Sequence, residues 1–319
     1  MTVINTNIKS LVTQNALGKN SRALAQAMEQ LSTGKRINSA ADDAAGLAIS
    51  QRMTAQIKGL DQAVRNANDG ISLLQTAEGA LVEVTNMMQR MRELAVQSAN
   101  DTYTASDRQA LNLEYQQLMQ EINRVAQTTQ WNGMNILNND ATADKAIGTG
   151  GTVQDPALEE LSTPELRFVK FQVGPNTDQV ISFKFMDFSI PMEPGTGAPD
   201  ASVTPDAWQI FSGNAALNDT DITSSALANT AIGRLDAAIA GVDAQRSTFG
   251  ATVNRLTFTV DNLTNVSQNT TESRSRILDT DYAKASGELS RTQIIQQAAT
   301  AVLAQANIDQ QSVLKLLQG

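Results

Sequence analysis

The chain has 319 residues and contains neither cysteine nor histidine. Without cysteine it forms no disulfide, thiolate nucleophile or zinc–thiolate site. Without histidine it has no imidazole general base, no Ser-His-Asp triad and no HExxH metal motif. Any catalysis would fall to carboxylates, lysine, arginine or tyrosine. The balance of 24 basic against 33 acidic side chains, a net charge of −9, lacks the basic footprint of a nucleic-acid binder. No apolar run reaches the roughly 18 residues needed to span a membrane. The opening stretch MTVINTNIKSLVTQ lacks the continuous apolar core and cleavage site of a secretory signal peptide.

What is present is unevenly placed. All seven prolines lie between Pro156 and Pro205, and six of the eight phenylalanines between Phe168 and Phe211. Residues 137–223 carry 13 acidic and 4 basic side chains, whereas the remaining 232 residues carry 20 of each. Two proline-free, charge-balanced arms therefore flank an acidic, Pro- and Phe-rich middle.

The arms read as long heptad helices. Leu60, Ala67, Leu74, Leu81, Met88 and Ala95 recur every seven residues, which keeps one stripe toward a partner helix. The spacing predicts a helix over about Ala44–Ala99, near 80 Å long at 1.5 Å per residue. After a break at Asn100–Thr104, Ser106 is the expected N-cap of a second helix, with Asp107 in its first turn. Leu111, Tyr115, Leu118, Ile122 and Val125 mark that helix to about Gln130. A third seam runs through Leu235, Ile239, Val242, Phe249, Val253, Leu256, Val260 and Leu263, interrupted by Arg246. It must pair with segments more than 100 residues upstream, so the middle is an insertion. Ile181, Phe183 and Phe185 alternate with Ser182 and Lys184 beyond a turn cluster at Gly174–Asp178, which reads as one β-hairpin over 166–188.

The chain ends carry weaker apolar stripes. Ile4, Ile8, Leu11, Leu24, Met28 and Leu31 mark the first, and Ile295, Val302, Leu303, Val313, Leu314 and Leu317 the last. Such Ala- and Gln-rich helices depend on tertiary partners, and both ends are expected to be disordered in an isolated monomer.

Several stretches carry a family resemblance: INTNIKSLVTQNAL (4–17), LSTGKRINSAADDAAGLAIS (31–50), QRMRELAVQSAN (89–100), NRVAQTTQWNGMNIL (123–137), ESRSRILDTDYA (272–283) and VLAQAN (302–307). Together residues 1–138 and 224–319 resemble bacterial flagellin. The resemblance implies a mainly α fold: a long antiparallel heptad-helix rod with one β-hairpin, plus a terminal-helix coiled-coil inner domain. It places the inner domain at 1–43 and 277–319, the rod at 44–190 and 224–276, and a short variable surface insertion at 191–223. Ser32–Ala45 matches the connector between the two domains, with Arg276–Glu288 as its return strand and Lys35 or Arg36 near Asp279 or Asp281.

The resemblance also implies a function. The chain would be a structural subunit of the extracellular flagellar filament, polymerised through the terminal stripes and secreted by the flagellar type III export apparatus. Its partners would be other copies of itself, the filament cap and hook-junction proteins, an export chaperone, and the innate receptor Toll-like receptor 5. By that resemblance Gln89, Arg90, Arg92, Glu93 and Leu94, with Glu114 on the second rod helix, form the receptor contact. From the residues alone they are a mixed helix face. A hook–filament junction protein is the alternative within the class. A surface-binding filament protein with adhesion residing in 191–223 is another. The Met87, Met88 and Met91 cluster reads as packing. The adjacent pairs Asp42-Asp43 and Glu159-Glu160 do not share a helix face and read as solvated surface. No cofactor or metal is expected.

Overall fold

The computed structural model describes residues 7–138, 168–186, 188, 217 and 220–318, without side-chain placement for Phe168 and 309–318. Along the chain run α1 (Ile8–Thr33), α2 (Ala44–Ala99), α3 (Ala105–Thr128), β1 (Gln130–Trp131), β2 (Met134–Asn135), β3 (Phe168–Gln172), β4 (Val180–Lys184), α4 (Ser225–Leu278) and α5 (Tyr282–Gln318). The protein is mainly α. The expected insertion at 191–223 lies largely outside the described residues. Contacts divide the chain into two compact units, Met1–Lys58 with Val266–Gly319, and Gly59–Asn265. Each unit draws on both arms.

In the larger unit the heptad of α2 is the core. Leu60, Ala67, Leu74, Leu81, Met88 and Ala95 are all buried, and a second row three residues on, Ala63, Ala77, Val84 and Met91, is buried beside them. Antiparallel α4 answers with its own seven-residue row, Ala228, Leu235, Val242, Phe249, Leu256 and Leu263. The adjoining position is taken by Gln245, not by Arg246. The Gln245 amide is buried and donates to the Lys184 carbonyl, while Arg246 lies at the seam's edge, 3.7 Å from Asp243.

α3 departs from its expected stripe. Tyr115, Met119, Ile122, Asn123 and Ala126 are buried, whereas Leu111, Leu118 and Val125 are only partly covered. The cause is the return of Leu217 and residues 220–223, which cover the Tyr115 face. Tyr115 Oη donates to Thr220 Oγ1 at 2.9 Å, Gln116 donates to the Thr220 carbonyl, and the Asn112 side chain accepts from the Ile222 amide. The N-cap of α3 is Thr104, with Asp107 bonding back to it in a capping box. Ser106 lies inside the helix. The two-residue ladder β1–β2, absent from the sequence expectation, turns on Asn132 (φ 49°) and Gly133 (φ 77°), the pairing that a tight hairpin prefers.

The β3–β4 hairpin is antiparallel, with Phe171 opposite Ile181 and Val169 opposite Phe183. Ile181, Phe183 and Phe185 are buried. Phe183 and Phe185 pack against Phe249 of α4 with ring centroids 5.1 and 5.6 Å away. On α2, Gly59 and Gly70 leave notches that admit Pro175 and Phe171, and Asn66 donates to the Gln172 carbonyl.

The smaller unit pairs α1 with α5 in antiparallel fashion. The ends, expected to be disordered alone, are helical and lie against each other. α1 closes on Gly34 in the left-handed conformation (φ 70°), which a glycine adopts without strain. The connector then forms a short ladder with the return segment. Lys35 bridges Asp279, the Arg36 amide donates to the Leu278 carbonyl at 2.7 Å, and the Thr280 amide to the Gly34 carbonyl at 3.0 Å. The contact is main chain. No ion pair joins Lys35 or Arg36 to Asp279 or Asp281 among the described residues. Asp279 accepts from Ser275, and Asp281 accepts from the first amides of α5.

Candidate assembly and receptor surfaces

The α1/α5 seam alternates small residues with leucines. Among the described residues Asn20 and Ala27 on α1, and Ala285, Thr292 and Ala306 on α5, are buried, with Leu17 and Leu289 half-buried between them. A second set of large apolar groups faces away. Ile8, Leu11 and Val12 are 60%, 59% and 62% exposed, and Met28, Ile294, Ile295, Val302 and Ile308 are exposed as well. Leu24, Leu31 and Leu303 are half-buried. Ile4 and the side chains of Val313, Leu314 and Leu317 lie outside the described residues. Near the free end of α1 an apolar groove opens between the helices, lined by Ile8, Val12, Thr13, Val302 and Ala306. Surface of this kind in a helical pair calls for a partner.

The second candidate surface lies on α2 and α3. The Arg90 guanidinium donates to Glu93 and to Glu114, both at 2.9 Å. Glu114 first, then Glu93, holds Arg90 even more firmly protonated than usual. Gln89 and Arg92 are exposed on the same helix, but Arg92 turns to α4 and donates to Asp236 at 2.6 Å. Leu94 does not join them. It is 1% exposed, inside the core with Met91 and Ala95. The expected contact set thus separates into a charged surface triad of Arg90, Glu93 and Glu114, and a core leucine. Heptad phase could have revealed this, since Leu94 adjoins the row that ends at Met88 and Ala95.

No cluster of three or more His, Cys, Asp or Glu side chains suited to a metal ion occurs among the described residues. No helix among them is long and apolar enough to cross a membrane.

Comparison with known proteins decides what these surfaces belong to. Residues 4–142 match the bacterial flagellin N-terminal helical region and residues 232–317 the bacterial flagellin C-terminal helical region. A flagellin of Halalkalibacterium halodurans is 42% identical over 316 residues, covering 99% of this chain and 100% of its own. The chain belongs to the bacterial flagellins. Flagellin A of Vibrio cholerae is 39% identical over 375 aligned positions, with 99% of each chain covered. As a flagellin, the chain is a structural subunit that polymerises with copies of itself into a filament, and not an enzyme. The crystal structure of Bacillus cereus flagellin aligns with 62% of this chain and 88% of its own at 26% identity, with a TM-score of 0.44. The fold of this flagellin therefore rests on its own packing as described above.

Proposed function

We propose that flagellin subunits of this sequence join through the outward apolar side chains of α1 and α5, and that the filament so formed is the extracellular propeller of swimming motility. The observation that carries the reading is the second apolar set, Ile8, Leu11, Val12, Met28, Ile294, Ile295, Val302 and Ile308, which stays exposed although the two helices already share a seam. A pair made to stand alone would bury its large apolar groups. Here they are left for neighbouring copies. An inner domain at 1–43 and 277–319 and a helical rod domain at 44–190 and 224–276 fit a subunit whose ends pack at the centre of a polymer. The family resemblance supports export through the flagellar type III apparatus with a chaperone on the terminal helix, and contacts with cap and hook-junction proteins. Removing residues 281–319 tests the reading: the remaining chain stays folded and forms no filaments. Normal filaments from that truncation would refute it.

A second reading is favoured by the Arg90–Glu93–Glu114 triad. It joins α2 to α3 on an exposed face and supports recognition of the free subunit by Toll-like receptor 5. Arg90→Ala and Glu114→Ala are expected to reduce receptor signalling while the thermal transition stays in place. Unchanged signalling from both would remove the assignment. Leu94→Ala is not a clean test, because it opens a core cavity.

A further inference from the structure

Among the described residues the two most exposed large apolar side chains are not on the terminal pair. They are Phe258 on α4, 74% exposed, and Leu113 on α3, 68% exposed. Each stands two residues from a fully buried position, Phe258 from Leu256 and Leu113 from Tyr115. At 3.6 residues per turn, that puts each on the side of its helix away from the core.

The faces around them share a composition. On α4, Ala251, Asn254 and Asn262 stand one or two turns from Phe258 and line a shallow groove with it. On α3, Gln109, Ala110 and Gln117 stand one turn from Leu113, all exposed. Charged groups keep to the edges. Arg255 and Asp261 lie a turn before and a turn after Phe258, and Glu114 lies next to Leu113. An uncharged centre with one large apolar anchor and a charged rim is the anatomy of a protein–protein contact. Arg255 forms no ion pair among the described residues, whereas Glu114 belongs to a triad with one acid in excess, Arg90 with Glu93 and Glu114. The two rims can therefore pair across a contact.

The two faces do not meet within one chain. Glu114 is level with Arg90 of α2, and Leu263 of α4 clusters with Leu60 and Ala63 near the other end of α2. The antiparallel register then sets Phe258 roughly 25 residues of α2 away from Leu113, about 40 Å at 1.5 Å per residue. Two different patches of one subunit that fit each other make a heterologous contact, which repeats without closing and builds an open helical filament. This flagellin polymerises with copies of itself, so a second copy brings each face its counterpart.

We infer that the Phe258 face of α4 on one subunit seats against the Leu113 face of α3 on a neighbouring subunit. The inference rests on self-polymerisation, and not on the terminal helices being the surface that carries it.

The cysteine-free sequence allows a direct test in filaments of the full-length chain. Leu113→Cys and Phe258→Cys are prepared as separate chains, mixed in equal parts and grown from seeds of parent filament. A short bis-maleimide, each end of which takes up one thiol, then reads which residues are neighbours. Mixed filaments should yield cross-linked dimers on a denaturing gel, and filaments of either chain alone should not. Phe258→Ser should slow seeded elongation severalfold with an unchanged thermal transition, and Phe258→Leu should restore it. Mixed filaments without dimers, or elongation unaffected by Phe258→Ser, would overturn the inference and leave the α1/α5 surface standing. Dimers from filaments that still grow after Ile8→Ser, Leu11→Ser and Val302→Ser would keep this contact and remove the terminal one.

Discussion

Tyr115 is a fully buried phenol whose hydroxyl donates to Thr220 Oγ1, which in turn donates to the Leu217 carbonyl. Burial pushes its pKa up to about 12, because the phenolate would lose its hydration. A raised pKa on an acid means that folding favours the protonated form. The stabilisation is complete below the ordinary value near 10 and is lost as pH rises through about 12. Tyr115→Phe should cost about 1 kcal/mol at neutral pH and should flatten the alkaline fall in stability, as measured by urea unfolding across that range. At the start of α3, Thr104 and Asp107 exchange hydrogen bonds, and the Thr104 bonds hold the Asp107 carboxyl below its usual range. That contribution is present above about pH 4 and is lost as pH falls further. Thr104→Ala is expected to cost about 1 kcal/mol, with Ser106→Ala near neutral by the same measurement. The sequence reading took Ser106 for the start, although the Thr104-x-x-Asp107 spacing of a capping box stands in the sequence. Only geometry separates them, because Thr104 alone has the extended backbone of a cap.

At the scale of elements, seven-residue periodicity predicted one buried row on α2 and one on α4, because a strict heptad leaves one face for a partner. It placed the second row of α4 one position late: Ala231, Ala238 and Gln245 are buried, whereas Ile239, Val253 and Val260 are only partly covered. Gln245 is inside because it has a specific acceptor, the Lys184 carbonyl on the hairpin, and no pattern on one helix can show an acceptor on another element. The phase of α3 was misjudged for the same reason, since a distant segment covers Tyr115. The glycine notches of α2 were equally hidden. A Cβ at Gly59 would lie 2.8 Å from Pro175 Cβ and one at Gly70 would lie 3.0 Å from Phe171 Cδ1, whereas one at Gly79 would meet nothing within 4 Å. Gly79→Ala should therefore stabilise the helix by up to about 1 kcal/mol. Gly59→Ala and Gly70→Ala should forfeit that gain and loosen the hairpin, seen as faster hydrogen exchange in β3 and β4. Leu81→Ala, at the centre of the heptad, should cost about 2–5 kcal/mol in thermal or urea unfolding.

For the whole molecule, the sequence established that the arms fold together and that thiol and imidazole chemistry is absent. The charge asymmetry followed the same division, with balanced arms around an acidic middle. What it could not show was how each terminal stripe divides. Ile8, Leu11, Leu24, Met28 and Leu31 form one apolar series along the sequence, but in the fold Leu24 and Leu31 are half-buried in the seam with Leu303, while Ile8, Leu11, Met28 and Val302 are exposed. The family resemblance grouped Leu94 with Arg90, while the fold buries one and exposes the other. The account therefore turns on whether the outward stripe joins subunits. Its most direct measurement is the sedimentable fraction of full-length chain carrying Ile8→Ser, Leu11→Ser and Val302→Ser, seeded with parent filaments and viewed by electron microscopy. The predicted result is a soluble subunit with an unchanged thermal transition for residues 59–265 and no filament growth. Filaments at the parent's yield and length from that variant would contradict the account.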